Sequence, residues 1–400
     1  MNSTASARPT RVSLVDLLGL ERVDLEIRPL TVVVAQSPLL RYALSRILWG
    51  LAIAGPHMEA WARATLSRGA PRLASEFSDK IKRGEDALLT FRRLVSTFLD
   101  ALPEALGPEL RRALSATLEM DVSSLASGPN PSIEVERAGL LRIPLSSGLT
   151  PTLAYDQAIL ESLFIERTSP ATVRLSFADV DLGSGPAIGQ RDVVGLAIRA
   201  TSAIVMELAF PALVGGEALA SFLPAERVGA LRAAAGGRFD PRRLEGMPSD
   251  VRHAVKLYHG LAEARRRGAI DEKPLEPLLE ELRCELLPPS ERGPPSISVR
   301  VRGGPVFELP MAPPGVCSPL LAALLLASPP QHIPVKLAIV EEPEAHIEPG
   351  VLAVFLGVVA ALVQKYGRYV ILVTQSEAVA GSMEALRKES ETLNVVARRE

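Results

Sequence analysis

The segment at residues 336–349, KLAIVEEPEAHIEP, decides the fold class of this 400-residue chain. It opens with a short apolar run and reaches two adjacent carboxylates, Glu341 and Glu342. Such a run is typical of a strand that is covered on both faces, and open α/β sheets bind ligands at the carboxyl ends of their strands. Two acids at that position predict a site that holds Mg²⁺ and positions a water molecule for attack. The alternative is a polar strand end that caps the next helix.

Two further segments have the pattern of buried strands. Residues 30–35, LTVVVA, and residues 369–374, YVILVT, are continuous apolar runs, and an apolar segment with helical spacing lies next to each. Three such strands alternating with helices predict a parallel α/β sheet. Two short alternating segments at residues 12–16 and 23–27, with Gly19 between them, predict a hairpin that leads into the first of these strands.

The sequence EEPEAHIEP resembles the Walker B motif and the following loop of ATP-binding-cassette-type P-loop ATPases. The branch it resembles is the stand-alone SMC-like one, the "AAA-type ATPase core" proteins, which includes the RecF-like and OLD proteins. Further segments match that family in the family's order: PLT at 29–31, PAER at 224–227, a hairpin at 299–309, APPGV at 312–316 and VTQS at 373–376.

The resemblance implies an α/β fold with a P-loop NTPase (ABC-ATPase-like) core, a mostly parallel sheet, an N-terminal antiparallel hairpin and helical insertions. The core would be discontinuous, formed by residues 1–55 and 290–400. The part between would contain a helical insertion at 56–130, a mixed α/β segment at 131–239 and a helical arm at 240–289. Amphipathic spacing of leucines and charged residues in the first and last of these three segments agrees with helices.

The phosphate loop of this family reads G-x-x-x-x-G-K-[S/T] directly after the first buried strand. The residues at that place, 35–42, read AQSPLLRY, with Arg41 in the lysine position and Tyr42 in the position of the metal-binding hydroxyl. Glycines allow such a loop to turn its N–H groups inward around phosphate, and Pro38 has no N–H at all. The resemblance assigns cofactor contacts here to Ala35, Gln36, Ser37, Arg41 and Tyr42.

The other two phosphate-contacting motifs are altered as well. In the signature, Pro313 and Pro314 replace small hydroxyl residues, which leaves Gly315 as the expected contact. At the switch, Gln375 replaces a histidine. The resemblance gives Glu341 the role of metal ligand, and gives Glu342 and Gln375 catalytic roles. Retained acids beside altered phosphate motifs predict a pseudo-ATPase, in which binding of ATP and Mg²⁺ is weakened or lost.

Three functions are consistent with this pattern. The first is an assembly or regulatory subunit that forms a homodimer or a heterodimer with another ATPase-family subunit. The second is an active Mg-dependent ATPase with an atypical phosphate loop, in which Arg41 replaces the lysine. The third is a DNA-binding architectural protein that uses a basic surface, although a charge run at a helix C-terminus is also favoured by the helix dipole. The basic residues, besides Arg242 and Arg243, are Arg252, Lys256, Arg265, Arg266 and Arg267.

Composition excludes several classes of protein. The formal net charge is −2, so the chain as a whole does not attract polyanions. Its two cysteines, Cys284 and Cys317, have no zinc-site spacing and no disulfide framework. The N-terminus lacks the apolar core of a signal peptide, and the longest apolar stretches, such as residues 350–363, are short for a membrane span. We therefore expect a cytoplasmic protein without membrane contact.

Three further features have a structural interpretation and a functional one. The glycine-rich residues 183–189, GSGPAIG, predict a turn because their spacing fits no phosphate loop. Residues 275–287 predict an amphipathic helix that packs on its own domain, with a partner contact as the alternative. Arg227 is expected to reach a phosphate or an interface, or to pair with an acid inside the chain.

Overall fold

The computed structural model describes residues 9–54, 64–66, 68–146, 150–178, 180–208, 220–235, 247–290, 293–329, 332–333, 335–387 and 393–397. They belong to two compact units. Unit 1 comprises Met1–Leu25, Leu51–Ala113 and Asp121–Gly216, and unit 2 comprises Glu26–Gly50, Leu114–Met120 and Glu217–Glu400.

The strands of the described residues are, in chain order, β1 (Thr10–Leu17), β2 (Leu20–Ile27), β3 (Leu30–Val34), β4 (Ser132–Glu136), β5 (Gly139–Pro144), β6 (Thr152–Tyr155), β7 (Leu163–Ser169), β8 (Thr172–Phe177), β9 (Val180–Pro186), β10 (Ala220–Leu223), β11 (Cys284–Leu286), β12 (Ser298–Val301), β13 (Val306–Glu308), β14 (Leu337–Glu341), β15 (Tyr369–Thr374) and β16 (Leu393–Ala397).

The α-helices of the described residues are α1 (Pro38–Ile53), α2 (Ala70–Arg83), α3 (Leu88–Leu118), α4 (Gln190–Leu208), α5 (Arg227–Ala235), α6 (Ser249–Arg266), α7 (Glu276–Glu281), α8 (Pro314–Ala327), α9 (Pro349–Tyr366) and α10 (Glu377–Arg387).

Unit 2 contains a five-stranded sheet in the order β10-β14-β15-β3-β16, and every neighbouring pair is parallel. The prediction of three parallel buried strands is confirmed, since β14, β15 and β3 lie side by side. All residues of β3, β10 and β14 are buried, as expected for strands with both faces covered. Because β15 lies between β14 and β3, the loops that follow these three strands meet at one edge of the sheet.

Unit 1 contains two antiparallel sheets, with strand orders β2-β1-β4-β5-β6 and β7-β8-β9. The predicted N-terminal hairpin is formed by β1 and β2, with Leu18 at φ 58° and Gly19 at φ 80° in its turn. A small antiparallel sheet, β11-β12-β13, belongs to unit 2. The expectation of a mostly parallel arrangement therefore fits the five-stranded sheet of unit 2 and not the other sheets.

Two predictions of local structure are wrong. Within the glycine-rich residues 183–189, the first four do not form a turn, because β9 continues to Pro186 as the edge strand beside β8. Glycine and proline are tolerated at such an edge. Only residues 187–189 form the bend that leads into α4. The predicted helix at 275–287 ends early, since α7 stops at Glu281 and Arg283 takes a positive φ of 51°. The chain then reverses into β11, which pairs with β12.

Helix α9 is long and apolar enough to cross a membrane by length and composition alone. Its residues Leu352, Phe355, Leu356, Val359 and Leu362 are among those buried in the core of unit 2. The core helix of a globular protein passes the same test of length and composition. The burial of one face assigns α9 to the protein core.

An aromatic stack connects α1, β10 and α6 within unit 2. The ring of Trp49 stacks on Phe222 at a centroid distance of 4.8 Å and contacts His253 at 5.2 Å. Among the described residues, the buried Nε2 atom of His253 has no hydrogen-bond partner. Burial lowers the pKa of His253 to about 4, and the nearby Lys256 acts in the same direction.

This shift predicts a loss of stability in mild acid. An unfolded histidine takes up a proton near pH 6.5, whereas folded His253 stays neutral until about pH 4. Between these values only the unfolded chain gains the proton, so stability falls as the pH is lowered. We expect His253 to remove about 2 kcal/mol between pH 7.5 and 5.0. Urea denaturation of the wild-type chain and of His253→Leu at both pH values measures this loss.

The substitution His332→Leu, at an exposed histidine, is the matched control and should keep the wild-type pH dependence. Equal acid-induced losses in the wild-type chain and in His253→Leu would show that His253 is not the group responsible.

Candidate functional site

The candidate site lies at the carboxyl edge of the parallel sheet, where the sequence predicts it. The backbone N–H of Ala35 donates to the carbonyl of Thr374 at 3.0 Å. The side-chain amide of Gln36 donates to the carbonyl of Gln375 at 3.2 Å, and the N–H of Glu342 donates to the carbonyl of Val373 at 2.7 Å. The loops after β3, β14 and β15 are therefore joined, which brings four of the predicted site residues together.

A cavity of about 530 Å³ opens beside these loops within unit 2. Among the described residues, five carboxylates and two guanidinium groups line it, which gives three more negative charges than positive ones. An electrostatic field of this sign opposes the approach of a triphosphate. The charged lining residues are Glu119, Glu226, Asp250, Glu341, Glu342, Arg41 and Arg46.

The connection from β3 to α1 is shorter than a phosphate loop. Helix α1 already begins at Pro38, so only residues 35–37 lie between the strand and the helix. The N–H of Arg41 donates to the carbonyl of Ser37 at 3.0 Å, and the N–H of Leu40 donates to the hydroxyl of Ser37 at 3.3 Å. Ser37 therefore acts as the N-cap of α1, and two N–H groups that would face phosphate are used inside the helix.

Arg41 folds back onto this short connection. Its Nη1 atom donates to the carbonyl oxygens of Ala35 and Gln36 at 2.8 and 2.9 Å. Its Nη2 atom lies 3.4 Å from a carboxylate oxygen of Glu342. The guanidinium is thus directed at carbonyl groups of its own loop and at the second Walker B acid, and these contacts occupy the side chain that replaces the expected lysine.

Glu341 is buried, and each of its carboxylate oxygens has a partner. Oε1 accepts hydrogen bonds from the hydroxyl of Ser45 and from Nη1 of Arg46, the latter at 3.0 Å. Oε2 accepts from the N–H of Ala225 at 3.3 Å. Burial raises the pKa of Glu341, and the positive charge of Arg46 and the hydrogen bonds partly oppose this effect.

Arg46 is the centre of this network, and sequence reasoning missed it. It also pairs with Asp250 at 2.6 Å, and its guanidinium lies 4.3 Å from the ring centre of Phe222 and 4.8 Å from that of Tyr42. An arginine inside the apolar spacing of α1 was the available signal. Asp250 gave no signal, because it follows Arg46 by more than two hundred residues.

Arg227 holds the backbone at the end of β14 from within the core. Its guanidinium donates to the carbonyls of Glu341 at 2.8 Å, Glu342 at 3.3 Å and Pro224 at 3.1 Å. It is only 1% exposed, and burial lowers its pKa to about 10. Arg227 therefore does not point to a phosphate or an interface, and its hydrogen-bond partners are carbonyls rather than the acid side chain that the sequence suggested.

The geometry does not fit ATP with Mg²⁺. Both oxygens of Glu341 are engaged, and the hydroxyl of Tyr42 donates to the carbonyl of Leu118 at 3.0 Å. The N–H groups of Ala35, Leu40 and Arg41 donate to partners inside the chain. The described residues contain no cluster of three or more His, Cys, Asp or Glu side chains that could hold a metal.

Gly315 occupies the first turn of α8, close to the loop that follows β14. A Cβ atom at this position would lie 2.7 Å from the carbonyl oxygen of His346, which itself has a positive φ of 65°. A backbone atom cannot move away as a flexible side chain can. The only residue that remains of the predicted signature is therefore required for close packing, and its proposed contact with phosphate stays a prediction.

The exposed Gln375 and its neighbours form the switch segment. The hydroxyl of Thr374 donates to a carboxylate oxygen of Glu344 at 2.5 Å and accepts from the N–H of Ser376 at 2.8 Å. This link between the loops after β14 and β15 was not predicted from the sequence. The catalytic roles of Gln375 and Glu342 stay predictions.

The predicted basic surface is only partly formed. Arg265 is 4% exposed and donates to Glu272 at 2.5 Å, so it lies in the core and not on the surface. Arg266 and Arg267 both pair with Glu263, at 2.6 and 2.7 Å. Arg252 is half-buried and Lys256 is exposed. Arg242 and Arg243 lie outside the described residues. The predicted basic surface is therefore corrected at Arg265, which is buried, while Arg266 and Arg267 share one acidic partner.

Comparison with known proteins identifies no family, since no family model and no curated protein matches the chain. Three solved structures that resemble the chain are SMC heads. Each is 9% identical to it, and each match covers 94% of this chain. They are the SmcHead bound to the C-winged helix domain of ScpA (TM-score 0.40, 92% of that chain), the SMC head domain from Thermotoga maritima (0.37, 92%), and the Smc head domain with an extended coiled coil bound to the C-terminal domain of ScpA derived from Pyrococcus furiosus (0.39, 91%). TM-scores below 0.5 do not establish a shared fold, and the α/β assignment rests on the strand order.

The close approach at Gly315 predicts a specific cost of a methyl group. Gly315→Ala should lower the free energy of unfolding by about 1–3 kcal/mol, because the new Cβ meets a backbone carbonyl. The matched control is Gly357→Ala in α9, where nothing lies within 4 Å of the added atom. The control should be neutral or stabilising by up to about 1 kcal/mol. Urea denaturation of both variants tests the contact, and equal effects would contradict it.

The Arg46 network predicts a non-additive pair of substitutions. Arg46→Met should cost about 3–5 kcal/mol, because it leaves buried carboxylates without their counter-charge. Adding Glu341→Leu to that variant removes one of the uncompensated charges, so the double variant should be more stable than Arg46→Met alone. A double-mutant cycle measured by chemical denaturation provides the comparison. Costs that simply add would mean that the two side chains do not interact.

Proposed function

We propose that this chain is an SMC/ABC-type ATPase-family protein that has lost nucleotide chemistry and acts as an assembly or regulatory subunit. The observation that carries the proposal is the position of Arg41, whose guanidinium binds the carbonyls of Ala35 and Gln36. Within the family, we propose the stand-alone RecF-like and OLD-like branch, because the motif EEPEAHIEP resembles the Walker B segment of those ATPases.

The direction of the backbone dipoles supports this proposal. A phosphate-binding loop presents N–H groups to its ligand, whereas here two carbonyl groups are directed at a positive side chain. Each charge-assisted hydrogen bond to phosphate contributes about 1.5–3 kcal/mol. The loss of three such bonds would weaken binding by about a thousandfold or more. Arg41 could hold a single phosphate oxygen only after leaving its present partners.

The state of the Walker B acids gives the second line of support. In an active site, a metal ion would balance the charge of a buried carboxylate. Arg46 supplies that positive charge to Glu341 from inside the chain, at 3.0 Å. Arg41 likewise supplies positive charge to Glu342, with Nη2 of Arg41 3.4 Å from Oε1 of Glu342. Retention of the acids is then explained by their role in holding α1 against the sheet.

A subunit of this kind would act through its partners. We propose that it associates with a second copy or with another ATPase-family subunit in the cytosol, where its two free, buried cysteines would remain reduced. DNA binding has less support, because three of the five described basic side chains proposed for it are paired with carboxylates.

Equilibrium titration with a fluorescent ATP analogue, with and without Mg²⁺, tests the loss of nucleotide binding. We expect no saturable signal up to millimolar nucleotide and no ATP turnover above that of Glu342→Gln. Arg41→Ala is compared with Arg28→Ala, which removes the same charge from a half-buried arginine paired with Glu26. Micromolar binding that Arg41→Ala weakens and Arg28→Ala does not would establish a working phosphate loop. Turnover abolished by Glu342→Gln would then identify an ATPase.

A further inference from the structure

Unit 1 contains a second cavity, of about 740 Å³, for which no role follows from the ATPase-like core. It lies where the start of α2, the start of α3 and the 3₁₀ turn at Gln157–Ser162 meet. We call it the arginine groove, because four arginines contribute to its lining: Arg68, Arg72, Arg92 and Arg93.

The positive charge of the groove is only partly balanced inside the chain. Arg68 lies 3.6 Å from Glu104 in a solvent-exposed pair, which is a weak interaction. Arg92 is structural, since it donates to the carbonyls of Glu161 and Leu163 at 2.6 and 3.1 Å. Arg72 and Arg93 are exposed, and neither makes an ion pair within 4.0 Å among the described residues, while Arg93 interacts electrostatically with Glu76 at longer range. They remain able to bind an anion.

Acidic groups on the groove do not reverse this balance. Asp156 and Glu161 also line it, so the described part of the lining has four positive and two negative side chains. The carboxylate of Asp156 accepts the N–H of Ala158 at 2.9 Å, which caps the 3₁₀ turn. The groove therefore keeps a positive field, unlike the acidic cavity of unit 2.

The beginning of α2 strengthens that field. Gly69, which lines the groove, is the N-cap of this fourteen-residue helix and offers no side chain to cap it. The first turn of α2 contains no acidic residue. The positive end of the helix dipole thus favours an anion at the same place as Arg72.

An exposed leucine lies among these charges. Leu89, in the first turn of α3, lines the groove and is 70% exposed, although Leu73 and Leu160 beside it are buried. A ligand that covered Leu89 would need an apolar group as well as negative charge. Among the described residues, the lining contains no aromatic ring on which a nucleobase could stack.

We propose that the arginine groove binds an acidic amphipathic segment of a partner protein. Carboxylates of the segment pair with Arg72 and Arg93, and an apolar side chain covers Leu89. Charge complementarity selects this occupant, since the four arginines, the open end of α2 and the exposed leucine match a sequence that alternates acids and leucines. The groove lies wholly in unit 1, so this binding does not depend on the proposed loss of nucleotide chemistry.

Fluorescence anisotropy with the full chain and a fluorescein-labelled peptide, LEELLEELLEEL, tests the proposal. We expect saturable binding that weakens with added salt. The variant Arg72→Glu/Arg93→Glu should raise the dissociation constant by about tenfold or more, because two charge pairs become repulsive. Arg112→Glu/Arg191→Glu changes the net charge equally at exposed arginines that do not line the groove, and should bind like the wild-type chain. Circular dichroism establishes that both variants are folded.

Two further probes separate the alternatives. The same peptide with every glutamate replaced by glutamine should not bind, and a DNA duplex should not displace the acidic peptide. The proposal fails if the acidic peptide shows no binding, if the groove variant binds as the control does, or if the glutamine peptide binds equally well. Displacement by DNA at lower concentration than by unlabelled peptide would assign the groove to nucleic acid instead.

Discussion

The contact between Arg46 and Glu341 is the interaction on which the organisation of unit 2 depends. Two opposite charges are removed from water, and each alone would carry a desolvation cost of several kcal/mol. Ser45 and the N–H of Ala225 complete the hydrogen bonds of the carboxylate, and Asp250 completes those of the guanidinium. These partners belong to α1, to the loop after β10 and to α6. One ion pair at the end of β14 therefore fixes the positions of elements that are far apart in sequence.

Two further arginines, Arg227 and Arg41, also have their positive charge balanced by groups inside the chain. Arg227 and Arg41 direct their guanidinium groups at backbone carbonyls, so positive charge is distributed over the loops that follow β14 and β3. Glu342 takes a positive φ of 41° in the first of these loops, a conformation that a non-glycine residue adopts only when its surroundings hold it. The carboxyl edge of the sheet is thus stabilised from within, in a region where many α/β proteins leave space for a ligand.

The sequence predicted the parts of the structure that depend on local pattern. The strands β3, β14 and β15 and the first hairpin were recognisable because burial on both faces, or on one face, leaves a distinct spacing of apolar residues. The strand β9 was not recognisable from the sequence, because an edge position accepts the glycines and proline that usually mark a turn. The length of the helix at 275–287 was overestimated, because its apolar spacing continues beyond Arg283, where the chain reverses into β11.

For the site, the sequence predicted which loops contribute to it but not which side chains pair within it. The pairing of Arg46 with Asp250 and the burial of Arg265 are tertiary facts, and no local spacing encodes them.

The early start of α1 has a consequence for the history of such a chain. A working phosphate loop could not be recovered by replacing Arg41 alone, because the first turn of the helix, from Pro38 onward, occupies the residues that the loop would need. That turn would have to unwind, and Ser37 would lose its position as cap. A variant with only some of the required substitutions would lack both the contacts of Arg41 and a complete phosphate-binding loop. On the proposed loss of nucleotide binding, selection would meet a loss of stability before any gain of activity, which would make the proposed change difficult to reverse.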